Sequence, residues 1–120
     1  MGGRPIVHIE IPANDRDATA KFYKDLFDWD YQHIGPPMNY TTFQAGNTGG
    51  GYPDVGENSQ AGQVTVYMSS DDIDADLKKI VKLGGKVIMP KSEIPGYGWF
   101  AIFADPTGNP LALYTSMNPQ

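Results

Sequence analysis

The chain has 120 residues, with 9 Lys plus Arg against 14 Asp plus Glu and a formal charge of −5. That length suits one compact domain, and the acidic balance gives little counterion-release drive toward phosphate backbones, which argues against nucleic acid as a partner. No cysteine is present, so disulfides, thiolate zinc sites, iron–sulfur clusters and a Cys nucleophile are all ruled out.

In chain order, the start MGGRPIVHIEI carries no apolar h-region, and no later run reaches membrane length. A cytoplasmic protein without a membrane span is expected. Val7, Ile9 and Ile11 alternate with His8 and Glu10, the period-two pattern of a strand with two unlike faces. A helix should follow, capped by Asn14 with Asp17 as the acid of its first turn, and with Ala18, Phe22, Tyr23 and Leu26 as its apolar stripe. Strands are predicted near Trp29 to Ile34, Met38 to Gln44 and Gly49 to Asp54, with Trp29 packing at the helix exit. Gly56 to Gly62 reads as a linker.

The second half repeats this order. Val64, Val66 and Met68 alternate with Thr65 and Tyr67. Asp71 or Ser70 is expected to cap a helix with the stripe Leu77, Ile80 and Val81, ended by Gly84-Gly85. Strands are predicted near Lys86 to Met89, Trp99 to Phe103 and Pro110 to Thr115. Sliding the chain on itself by about 57 residues pairs Val7 with Val64, Asp15 with Asp72, Lys21 with Lys78 and Leu26 with Leu83. Continued without a gap, the register pairs Tyr40 with Tyr97, Phe43 with Phe100 and Gly51 with Gly108. The expectation is one α+β domain over residues 1–120, made of two tandem βαβββ modules, 5–55 and 63–116, that form a curved mixed sheet with a cleft and carry their helices on its outer face. Val7, Ile9 and Ile11 would face the helix. His8, Glu10, Thr65, Tyr67, Ala112 and Tyr114 would line the cleft, where His, Glu, Thr and Tyr can orient a ligand.

Other patterns fail on chemistry. Asp72, Asp74 and Asp76 resemble the opening of an EF-hand loop, but Leu77 stands where its glycine belongs and no Glu closes it. They suit a helix N-terminus better. Gly49-Gly50-Gly51 lacks the lysine and the spacing of a phosphate loop and reads as a flexible loop. With His8 and His33 as the only histidines, no Ser-His-Asp triad is defensible. His8 with Glu10 can act as a base and its partner. Tyr67 and Tyr114 can bind through hydroxyls and pack through rings, and Trp99 can clamp a planar ligand.

The segments VHIEIPANDRDATAKFYKDLFDWD, DDIDADLKKIVKLGGKV and GWFAIFADPTGNPLALY resemble the opening strand and helix, second helix and closing DPxGN hairpin of the vicinal oxygen chelate superfamily, which includes glyoxalase I, extradiol dioxygenases and bleomycin-resistance proteins. The resemblance covers nearly the whole chain and implies a homodimer and a divalent metal held from the first and last strands of each module. The corresponding positions here are His8, Thr65, Ala112 and about Val55, so one of four keeps an imidazole or carboxylate, and Glu10 lies two residues from it on the same face. The expected function is a small-molecule binder without a complete metal site, with Glu10 and Tyr67 as candidate catalytic groups, His8, Thr65, Trp99, Ala112 and Tyr114 as ligand contacts, and His8 as the lone metal ligand. Two alternatives stand beside it: a metal-dependent lyase or dioxygenase using His8, Glu10 and substrate oxygens, and a non-catalytic interaction module.

Overall fold

A computed structural model describes residues 3–56 and 59–117. One compact unit runs from Val7 to Thr65, and the other takes the chain from Val66 together with the residues up to Ile6. The expected linker falls at the end of the first unit, and its positions 57 and 58 lie outside the described residues.

The first unit contains β1 (Ile6–Glu10), α1 (Arg16–Phe27), β2 (Asp30–Ile34), β3 (Tyr40–Ala45) and β4 (Thr48–Gly51). The strands lie in the order β2-β3-β4-β1, with β1 parallel to β4 and the other neighbours antiparallel. Asp15, not Asn14, caps α1: its backbone is extended and its carboxylate accepts from the Ala18 N–H at 3.1 Å. A full negative charge there satisfies an orphan amide and faces the positive end of the helix dipole. The core joins Ala13, Ala20, Phe43 and Tyr52, with Ile9, Ile11, Tyr23 and Trp29 packed against them. Trp29 stacks on Phe43 with ring centroids 4.9 Å apart. The predicted helix stripe is corrected, since Phe22 and Leu26 are exposed. Of that stripe Tyr23 meets the core as expected, joined by Ala20, whose small side chain lets the helix approach the sheet.

Gly49-Gly50-Gly51 is strand, not a flexible loop. A Cβ on Gly50 would lie 2.2 Å from the Phe43 ring and 2.3 Å from the Ile9 carbonyl oxygen. The glycines therefore make room for aromatic rings that lie across β4.

The second unit holds β5 (Thr65–Ser69), α2 (Ile73–Lys82), β6 (Lys86–Ile94), β7 (Gly98–Ala104) and β8 (Pro110–Ser116), in the order β5-β8-β7-β6, with β5 and β8 parallel. Asp72 caps α2 by accepting from the Ala75 N–H at 3.0 Å, where Asp71 or Ser70 was expected. Its core is largely aliphatic: Ile73, Leu77, Ala101 and Leu113, supported by Met68, Ile80 and Val87. Val81 of the predicted stripe is exposed. Among the described residues no helix is long and apolar enough to cross a membrane.

Pairing within each unit shows where the repeat loses its simple register. Gly51 pairs with Glu10 on β1 and Thr42 on β3. Ala112 pairs with Tyr67 on β5 and Ile102 on β7. The counterpart of Gly51 is therefore Ala112, not Gly108, and that of Tyr40, two residues before Thr42, is Phe100, not Tyr97. The main cause is β6, which has nine residues where β2 has five and shifts register twice around Pro90, and one further residue enters between β7 and β8. The extra length is absorbed as irregularity at an edge strand, where it disturbs the fewest ladder bonds.

Candidate functional site

Alternation along β1 sends Ile9 into the helix-side core and places His8 and Glu10 together on the opposite face. Their partners on β4 are Gly49 and Gly51, which contribute no side chains, so that face of the module would be bare. Tyr40 fills it. A Cβ on Gly51 would come within 1.9 Å of the Tyr40 hydroxyl and 2.1 Å of its ring, so the ring reaches from β3 across β4 to β1.

There the Tyr40 hydroxyl donates to Glu10 Oε2 at 2.7 Å, and His8 Nε2 lies 3.0 Å from the Tyr40 hydroxyl oxygen. His8 Nε2 and Glu10 Oε2 are 3.8 Å apart, with both side chains largely buried. A phenol has one proton. Once it is given to Glu10, the phenol oxygen meets His8 as an acceptor, which places the imidazole proton on Nε2. Burial pushes the His8 pKa below its ordinary value, opposed by the negative charge of Glu10, so the imidazole is neutral at neutral pH. The result is an ordered chain of donors, His8 to Tyr40 to Glu10, in a partly dehydrated setting where such bonds strengthen one another.

Sequence reading identified His8 and Glu10 and missed Tyr40. The available signal was the glycine run: three glycines in a strand reserve space for a neighbour's rings, and the preceding strand offers Tyr40 on one face and Phe43 on the other.

The remaining candidates lie in the second unit or at its border. Thr65 opens β5, and Tyr67, two residues on, is buried opposite the fully buried Ala112. Tyr114 pairs with Phe100 across β7, and its hydroxyl donates to the Tyr97 carbonyl at 3.2 Å. Trp99 is a correction. It packs with Phe103 on the Ile73, Leu77 and Ala101 cluster, because alternation along β7 turns residues 99, 101 and 103 toward α2. It thus lies on the opposite face from Ala112 and Tyr67, and Lys91 Nζ sits 5.2 Å from its ring. The position expected near Val55 is held by Gly51, while the Val55 N–H donates to the Ala13 carbonyl at 2.9 Å. Among the described residues no group of three or more His, Cys, Asp or Glu could hold a metal ion.

A second polar cluster, unforeseen in the sequence, lines a depression of about 490 Å³ near the start of α1. His33 Nε2 lies 3.0 Å from Asp17 and its Nδ1 2.6 Å from the buried Thr41 hydroxyl. Arg16 pairs with Asp54 at 3.2 Å and also donates to the Asn39 carbonyl. Both ring nitrogens of His33 are engaged, so the cluster ties α1 to β2 and β3 rather than offering a base.

Residues 5–113 match the family model of the Glyoxalase/Bleomycin resistance protein/Dioxygenase superfamily. The chain belongs to this superfamily. An anthracycline biosynthesis protein, DnrV, of Streptomyces peucetius is 33% identical over 88% of this chain but only 44% of its own length. A glyoxylase-like domain-containing protein of Didymella fabae is 33% identical over 89% of this chain and 90% of its own. The chain thus spans less than half of the Streptomyces relative and nearly all of the fungal one. Among solved structures, a hypothetical protein of Bacillus halodurans superposes with a TM-score of 0.76 at 10% identity, covering 99% of both chains. A methylmalonyl-CoA epimerase of Streptomyces coelicolor, in complex with 2-nitronate-propionyl-CoA, superposes at 0.70 with 20% identity over 96% of this chain and 98% of its own. At these identities the structural matches establish the fold, and chemistry must be argued from the site.

Proposed function

We propose that this chain is a glyoxalase-like binder of a small organic molecule whose first-module site works through hydrogen bonds rather than a resident divalent cation. One observation carries the reading: the Tyr40 hydroxyl bridges the two atoms, His8 Nε2 and Glu10 Oε2, that a metal would need. A metal bound by both would sit about 2 Å from each and would require a lone pair on Nε2, but that nitrogen faces the phenol as a donor. The other family positions hold Thr65, Ala112 and Gly51, none with an imidazole or carboxylate, so the residues do not fit the family's metal.

In this reading a neutral imidazole and a carboxylate-linked phenol meet a hydroxyl or carbonyl oxygen of the ligand, and Glu10 is the group able to accept a proton from it through Tyr40. Thr65 and Tyr114 are carried as ligand-contacting residues of the later strands and Tyr67 as a candidate catalytic group, and Trp99 is not carried. The chain is read as cytoplasmic and acting as a pair of copies.

The test is calorimetric titration of the purified protein with Ni²⁺, Zn²⁺ and Fe²⁺. No stoichiometric binding at micromolar affinity is expected. Stoichiometric binding that is lost in His8→Ala would overturn the reading and favour the metal-dependent lyase or dioxygenase instead, whose activity a chelator would abolish.

A further inference from the structure

A natural sheet seldom leaves an edge unguarded, because an exposed row of unpaired backbone groups recruits other strands. The two units treat their edges differently. In the second unit the edge strand β6 carries Lys86, Pro90 and Lys91 and breaks register twice, so it resists addition of a further strand. In the first unit the edge strand β2, Asp-Tyr-Gln-His-Ile, pairs only with β3 within its unit, in unbroken register from Asp30 to Ile34. It has no proline, lysine or bulge, and Asp30 to His33 are all exposed.

We infer that the outer edge of β2 is an interaction surface for a second copy of this chain, joined by antiparallel pairing of β2 with its equivalent about Gln32. The inference rests on reading the chain as a pair of copies and assigns that pair a surface. It also has a definite register. With Gln32 opposite Gln32 on the two-fold axis, Tyr31 meets His33 of the other copy twice, and Asp30 meets Ile34. Tyr31 and His33 lie opposite Phe43 and Thr41 and so share the α1 face, where they already stand edge to face within one chain, 5.4 Å apart. The paired strands would set four rings in one layer, and aromatic cross-strand pairs are among the more favourable in antiparallel sheets. Registers centred two residues to either side, which keep the same backbone groups facing the partner, fail. Centring on Asp30 brings the two Asp30 carboxylates face to face, and centring on Ile34 sets Pro36 opposite Gln32, where it has no N–H to give.

The absence of cysteine in the sequence makes a clean test possible. Directly opposed residues on antiparallel strands have Cα atoms about 4.5–5.5 Å apart, within the range a disulfide spans. Gln32→Cys should therefore cross-link to a covalent dimer under mild oxidation, while Lys91→Cys on β6 should not. In sedimentation velocity the native chain should dimerise with rising concentration, and Tyr31→Lys should weaken that dimer at least tenfold. A native chain that stays monomeric at all concentrations, with no cross-link through Cys at position 32, would overturn both the surface and the pairing. A dimer that survives Tyr31→Lys, again with no cross-link at position 32, would overturn the surface alone. Neither result touches the metal titration that tests the ligand site.

Discussion

The two modules share one frame and differ in what stands at equivalent points of it. In the first, β1 presents His8 and Glu10 over a β4 made of glycine, and Tyr40 lies across that gap. In the second, β5 presents Thr65 and Tyr67 beside a β8 that carries Ala112 and Leu113, and Phe100 stands where Tyr40 would be. The cores differ in the same way. Phe43, Tyr52, Tyr23 and Trp29 stack in the first, with Phe43 and Tyr52 centroids 4.9 Å apart and Tyr23 and Tyr52 5.9 Å apart. Aliphatic side chains do most of the filling in the second. The contrast teaches that the strand paired with the module's first strand sets the module's character. Without side chains it admits rings from its neighbour on both faces, and one of those rings brings a hydroxyl to the His8 and Glu10 pair.

The strongest way to break this contrast is to exchange the residues that set it. Gly50 stands on β4 beside Ile9 and Leu113 on β8 beside Met68, each on the strand that neighbours its module's first strand. Gly50→Ala places a methyl 2.3 Å from a backbone carbonyl that cannot swing aside, and overpacking of that kind is expected to cost about 2–4 kcal/mol. Leu113→Ala removes volume from a buried cluster and should cost about as much, through a cavity. Urea unfolding of both variants measures this. A near-neutral Gly50→Ala would mean that Phe43 can leave β4, and that the glycine strand does not hold the aromatic core in place.

Tyr40→Phe comes next, since it gives the first module the residue type of its counterpart Phe100. The ring stays on Gly51 and both hydrogen bonds at 2.7 and 3.0 Å disappear, with an expected loss of about 1–2 kcal/mol. Phe100→Tyr in the second module should gain nothing, because the paired positions Tyr67 and Ala112 offer it no imidazole or carboxylate. Nitrogen-15 NMR of the histidines adds a readout that stability alone lacks: the Nε2–H form of His8 should dominate in the native chain and lose that preference in Tyr40→Phe.

Much of this was legible in the sequence, and the missing part has a physical explanation. Strand alternation placed His8 and Glu10 on one face and Ile9 on the other, because period two follows from backbone geometry alone. The cap residues were off by one, since Asn14 and Asp15 are both good caps and only the chain's entry angle decides between them. Tyr40 was invisible because its role depends on the space over Gly51, a tertiary fact, and because the ungapped repeat paired it with Tyr97. The irregular β6 that spoils that register is itself set by Pro90 and by its position at an edge. Trp99 was misassigned for a simpler reason: its face follows from parity along β7, which the ring's ability to clamp a planar ligand does not reveal.

The smallest effect expected concerns acid. Burial lowers the His8 pKa from its ordinary 6.5, so as pH falls the unfolded chain takes up this proton before the folded one does. Between the ordinary and the lowered value the unfolded state binds more protons, and stability therefore rises with pH through that window and is lost as pH falls through it. No counterpart exists in the second module, where Thr65 does not titrate. The melting temperature of the native chain should accordingly fall on acidification below about 6.5, and His8→Gln should flatten that part of the profile while leaving the steeper carboxylate-driven loss at lower pH. If His8→Gln melts with the same pH slope as the native chain, the proton uptake belongs elsewhere. The dehydrated donor chain from His8 through Tyr40 to Glu10 would then lose its electrostatic support, although the geometry would still distinguish the two modules.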